Sequence, residues 1–149
     1  MALETVVLAV GPEDDDRIEE LAATAIDVAG PAGARVVLAH VFTREEFDDA
    51  LETLDYEFGE SADPDEVAAH HTTIREIGSR LSEAGVVYET RGAVGNHGDR
   101  IVDLSEDMDA DLVVVGGHKR SPTGKAVFGS TAQQVMLNAA CPVTFVRKD

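Results

Sequence analysis

Residues 111–147 read DLVVVGGHKRSPTGKAVFGSTAQQVMLNAACPVTFVR, and this stretch decides the fold. Its opening, Asp111 to Gly116, is a valine run with no polar alternation, the pattern of a strand buried on both faces. A loop of Gly, Ser, Pro and Lys covers 117–128. Gly129-Ser130 then starts a helix with Ala132, Val135, Met136, Ala139 and Ala140 on one face, and 142–147 (PVTFVR) is a closing strand. Two buried strands joined through a helix predict a parallel β-α-β unit.

The rest of the chain repeats that alternation. LETVVLAV at 3–10 predicts a strand, stopped by Gly11-Pro12. Ile18, Leu21, Ala22, Ala25, Ile26 and Ala29 form the stripe of a helix over 14–29, ended by Gly30-Pro31 and Gly33. RVVLAHV at 35–41 is a second buried strand. A long helix is expected over 64–84, with Pro64 in its first turn and Val67, Ile74, Ile77 and Leu81 facing inward. A third strand at 86–91, a loop at 92–98 and a helix at 99–109 on Ile101, Leu104 and Met108 complete the pattern. The segment 42–66 stands apart, with eleven acids and one base, Arg44; it suits a short helix at 44–55 or a mobile acidic flap. Five strands alternating with four or five helices predict one α/β domain over 1–149, its parallel sheet covered on both faces.

Composition narrows the function. The chain has 149 residues, 44% of them apolar, with 12 Lys+Arg against 29 Asp+Glu and a net charge of −17. Such a surface repels polyanions, which argues against a nucleic-acid or membrane-surface binder. No apolar run approaches a membrane span, no basic n-region opens the chain, and the single Cys141 forms no internal disulfide. A cytoplasmic protein is expected. Only Lys119, Lys125 and Lys148 among the basic residues are lysines. Self-repulsion on this scale predicts a halophilic protein, because molar salt shortens the Debye length to about 3 Å.

The chemistry is concentrated where acids are missing. From Leu112 through Lys148 there is no Asp or Glu, and Lys119, Arg120 and Lys125 fall inside that gap. The loop runs from a buried strand to a helix start, whose free N–H groups and positive dipole end suit a phosphate. Gly116 and Gly117 allow close approach to the backbone, and Ser130 offers a hydroxyl. The plainer reading is an ordinary helix start with surface charges. A Walker A loop is excluded because Gly124-Lys125 is followed by Ala126, and Gly92, Gly95 and Gly98 have the wrong spacing for a dinucleotide fingerprint. Ser130 lacks a nucleophile-elbow context. His70 and His71, adjacent on one expected helix, point about 100° apart and do not chelate one metal. His40 is expected as a satisfied core or crevice residue, His118 is a candidate contact to ribose or phosphate, and Cys141 is a small buried hydrophobe.

The 111–147 stretch resembles the C-terminal signature of the universal stress protein family, whose nucleotide-binding members show G-x2-G-x9-G-[ST] followed by a helix and a C-P-V strand. The resemblance extends along the whole chain. It implies a Rossmann-like, adenine nucleotide alpha-hydrolase-like three-layer sandwich with a five-stranded parallel sheet of order 3-2-1-4-5. Its crevice would open between strands 1 and 4. It further implies a regulatory protein that binds ATP or another adenine nucleotide, with Mg2+ or Mn2+ beside the phosphates near Asp14 to Asp16, and at most slow ATP hydrolysis or autophosphorylation. No catalytic residue is assigned. The implied contacts are Gly11, Pro12, Val41, Val115, Gly116, His118, Lys119, Arg120, Gly129, Ser130 and Thr131. Two positions depart from the pattern: Lys119 replaces the second motif glycine, and Gly11 replaces the Asp that commonly ends strand 1. The alternative is therefore a nucleotide-free dimeric interaction module. In either case the resemblance implies a homodimer through the edge strand Val143–Val146, which a proline at Thr144 is expected to break.

Overall fold

The computed structural model describes residues 2–54, 62–117 and 129–147. The five strands are β1 (Thr5–Ala9), β2 (Arg35–Phe42), β3 (Tyr88–Val94), β4 (Leu112–Gly116) and β5 (Val143–Val146). They form one all-parallel sheet of order β3-β2-β1-β4-β5, as expected. Alternate side chains go to opposite faces. Val6, Leu8, Val36, Leu38 and Val114 meet α1 (Ile18–Ala32) and α4 (Thr72–Glu83) through Leu21, Ala25, Ile74, Ile77 and Leu81. Val7, Val37, Val41, Val113 and Val115 meet α5 (His97–Asp107) and α6 (Ser130–Asn138) through Ile101, Ala132 and Val135. Burial on both faces explains why these strands read as unbroken valine runs.

A third, smaller core stands beyond the end of β2. There α2 (Arg44–Thr53) and α3 (Pro64–Ala69) pack Phe47, Leu51, Val67 and Ala68 against Phe42. The acidic segment thus includes a helix over 44–53, started by a reciprocal capping box between Thr43 and Glu46. Tyr56 and Phe58 lie outside the described residues.

Five sequence-derived boundaries are corrected. Asp14–Asp16 form a 3-10 turn, and α1 begins at Ile18. It runs through Gly30 and Pro31 to close at Gly33, whose φ of 66° suits a residue without a Cβ. The helix expected over 64–84 is two helices, with His70 and His71 at the break. One straight helix could not bury Val67 in the small core and also lay Ile74, Ile77 and Leu81 on the sheet. β3 extends to Val94, because His40, Val41 and Phe42 pair with Gly92, Ala93 and Val94. The loop therefore shortens, and α5 starts at His97 behind Asn96, whose side chain accepts from the Asp99 amide at 3.0 Å.

Candidate functional site

β1 and β4 are neighbours, yet α1 and α6 leave them toward opposite faces of the sheet. The crevice beyond their C-terminal ends is the topological switch point. It holds a cavity of about 370 Å³. Gly11 and Pro12 line it after β1, Val41 on β2, Val115 and Gly116 on β4, and Gly129, Ser130 and Thr131 at the start of α6. These are all the expected contacts that fall within the described residues. His118, Lys119 and Arg120 lie outside them.

One wall is an apolar strip of Val41, Ile101, Val115 and Ala132, which also belong to one core cluster. Beside it the first turn of α6 carries neither an acidic residue nor a side-chain cap. Its leading amide hydrogens therefore have no partner in their own helix and face an anion-friendly end. By contrast, α2, α3 and α5 are capped by Thr43, Asp63 and Asn96.

Sequence reasoning missed three polar groups here, Arg17, Glu46 and His97, and named Asp14 only as a carboxylate near a metal. Asp14 is buried, and its Oδ2 accepts the Gly11 amide at 2.6 Å. Arg17, also buried, places Nε 2.9 Å from Asp14 Oδ1. This is a charge contact without hydrogen-bond alignment, since Nε and Nη1 of Arg17 have no hydrogen-bond partner among the described residues. Burial pushes the Asp14 carboxyl above its ordinary value, opposed by the Gly11 amide and the Arg17 charge. At the start of α5, His97 Nε2 lies 2.7 Å from Glu46 Oε1. Burial works against ionisation of Glu46, but the Thr43 amide and His97 outweigh it and hold the carboxyl below its usual range. Arg17, Asp14, Glu46 and His97 all line the cavity. The only sequence signal for the three missed residues was the Thr43-x-x-Glu46 capping box, which does not say what else the carboxylate touches.

Gly116 and Gly117 have structural reasons beyond close approach to a ligand. A Cβ on Gly116 would lie 2.6 Å from Asp14 Oδ1 and 2.9 Å from Arg17 Cδ, and one on Gly117 would strike the Phe145 ring. Among the described residues no group of three or more His, Cys, Asp or Glu is arranged to hold a metal ion. The Asp14 carboxylate is committed to Gly11 and Arg17, so it does not fit the role of a free metal ligand.

His40, His70 and His71 gather elsewhere, around a larger cavity of about 720 Å³ that shares Pro12 and Glu46 with the first. His40 is buried, its Nδ1 is 2.7 Å from the Val10 carbonyl, and its ring lies 4.4 Å from that of His71. Burial, reinforced by His71, lowers the His40 pKa to about 4. His70 Nδ1 bonds the Glu66 main-chain carbonyl at 2.8 Å. Cys141 is half-buried, and burial raises its thiol pKa. No described helix is long and apolar enough to cross a membrane.

The universal stress protein family model matches residues 3–147. A universal stress protein of Mycolicibacterium smegmatis is 32% identical over 75 residues, 50% of this chain and 58% of the relative. The chain thus matches little more than half the length of that curated relative. A universal stress protein from Archaeoglobus fulgidus superposes with a TM-score of 0.68 at 29% identity, covering 96% of this chain and 98% of that one. A structure from the same organism, solved in complex with dAMP, shares the fold at 24% identity, with a TM-score of 0.60 and coverage of 98% and 99%.

Proposed function

The chain belongs to the universal stress protein family, and we propose that it is a regulatory protein binding an adenine nucleotide, ATP included, in the crevice between β1 and β4. One observation carries this reading. Eight residues from four separate segments, all implied as contacts by the sequence resemblance, line a single cavity of about 370 Å³. The apolar strip of Val41, Ile101, Val115 and Ala132 suits a planar base, and the uncapped amides of α6 suit a phosphate. The dAMP complex of the Archaeoglobus fulgidus relative supports the same chemistry. Mg2+ or Mn2+ would be held by the phosphate oxygens and water, since Asp14 is already engaged. Lys119 and Arg120 are proposed to contribute charge, and His118 a ribose or phosphate contact. No residue is assigned a catalytic step.

Calorimetric titration of AMP and of ATP–Mg2+ in molar KCl tests this. Saturable heat that is lost in Gly129→Val and weakened in Ser130→Ala supports it. Absence of heat and of any melting shift at millimolar nucleotide overturns it.

A specific surface favours dimerisation as well. In the described sheet β5 pairs only with β4, and Leu137 (78% exposed) and Met136 stand on the adjoining α6. An edge of this kind is suited to the same strand of a second copy. The main chain of Pro142 and Val146 turns toward β4, as the Val113 and Gly117 amide bonds to their carbonyls require. By parity Thr144 turns the same way, so Val143→Pro is the better probe of the outer edge than Thr144→Pro. Light scattering should give a dimer for the parent chain and a monomer for Val143→Pro; a monomeric parent chain overturns the dimer.

A further inference from the structure

The proton position on His97 is set by a chain of local contacts. Thr43 caps α2, and its amide donates to Glu46 Oε1 at 2.8 Å while its hydroxyl accepts from the Glu46 amide at 3.1 Å. The same Oε1 lies 2.7 Å from His97 Nε2. An ionised carboxylate only accepts, so the neutral imidazole carries its proton on Nε2 and keeps a lone pair on Nδ1. Nδ1 makes no hydrogen bond among the described residues, nor is it one of their sealed, unpartnered polar atoms.

Its place in the cavity gives that lone pair a use. His97 stands one turn before Ile101 on α5, and Ile101 belongs with Val41, Val115 and Ala132 to the apolar strip. A purine lying on the strip with its phosphate at α6 would bring an edge of the base to His97. We propose that His97 is a specificity-determining residue whose Nδ1 accepts a hydrogen bond from the exocyclic amine of a 6-aminopurine and discriminates against 6-oxopurines. In a 6-oxopurine the oxygen would meet the nitrogen lone pair to lone pair, leaving both acceptors unsatisfied. Glu46 is a positioning residue that acts through the imidazole. The inference rests on the nucleotide reading above and adds which residue selects the adenine base, and through which atom.

AMP and IMP are the probes, titrated calorimetrically in molar KCl. The parent chain should bind AMP about 10-fold or more tightly than IMP. His97→Phe should bring the ratio close to one, mainly by weakening AMP. Glu46→Ala, which removes the partner of His97 Nε2 and frees the imidazole, should lower the ratio several-fold. The ratio is insensitive to partial unfolding, because both ligands sample the same folded fraction. Equal binding of AMP and IMP by the parent chain, or an undiminished ratio in His97→Phe, overturns the inference and leaves nucleotide binding standing. Absence of binding by both nucleotides overturns the nucleotide reading and this inference with it.

Discussion

The carboxylate of Asp14 occupies the space that a side chain at residue 116 would need: a Cβ built on Gly116 lies 2.6 Å from Asp14 Oδ1. The glycine that ends β4 and the buried acid after β1 are therefore two halves of one contact across the crevice. Arg17, the residue before α1, closes it, with Cδ 2.9 Å from the same point. The floor of the candidate site is thus a small, buried, charged assembly.

Gly116→Ala should destabilise the protein by about 1–3 kcal/mol, because the obstructing atoms belong to a buried ion pair with little freedom to move. Gly30→Ala, where a Cβ would meet nothing within 4 Å, serves as the control and should be neutral or slightly stabilising. Chemical denaturation of both variants checks this, and equal stabilities would contradict it.

Arg17→Met should cost about 3 kcal/mol at neutral pH, since it leaves the Asp14 charge buried without its counterion. Adding Asp14→Asn, which keeps an acceptor for the Gly11 amide, should recover much of that loss. A double-mutant cycle measures the coupling, and strictly additive effects would mean the pair does not act as one.

His40 should make the protein sensitive to acid. Its folded pKa of about 4 lies below the ordinary 6.5, so over that window the unfolded chain binds more protons than the native one. Stability from this group is complete above pH 6.5 and is lost as pH falls toward 4, by on the order of 3 kcal/mol. The lowered pKa of His71 acts in the same direction. His40→Gln should flatten the stability profile between pH 4 and 6.5, and an unchanged slope in that variant would assign the acid sensitivity elsewhere.

The net charge of −17 predicts a melting temperature that rises with KCl from about 0.1 to 2 M as the self-repulsion is screened. A curve that is flat over that range would show that charge repulsion does not limit stability.

Some elements were legible because their signal is local. β1, β2 and β4 declare themselves as apolar runs, since a strand buried on both faces has no solvent side to encode. The break at His70-His71 was illegible, because the periodicity of Val67, Ile74, Ile77 and Leu81 continues across it. Only the existence of two separate cores requires the chain to turn there. The extension of β3 through Gly92 was hidden for a related reason. The Pro64 carbonyl packs on that glycine, and the Asp65 carboxylate accepts its amide at 2.7 Å. Both come from a helix far away in sequence.

By itself, the order of residues determined the alternation of strands and helices, and the glycine–serine start of α6 whose amides lack a partner in their own helix. Those properties depend on neighbours within one turn or one strand. Only the tertiary structure decided that Asp14 and Arg17 lie beneath Gly116, and that Glu46 orients His97 across 51 residues of chain. Such pairings arise when separate elements pack against one sheet, and no periodicity within either element encodes them.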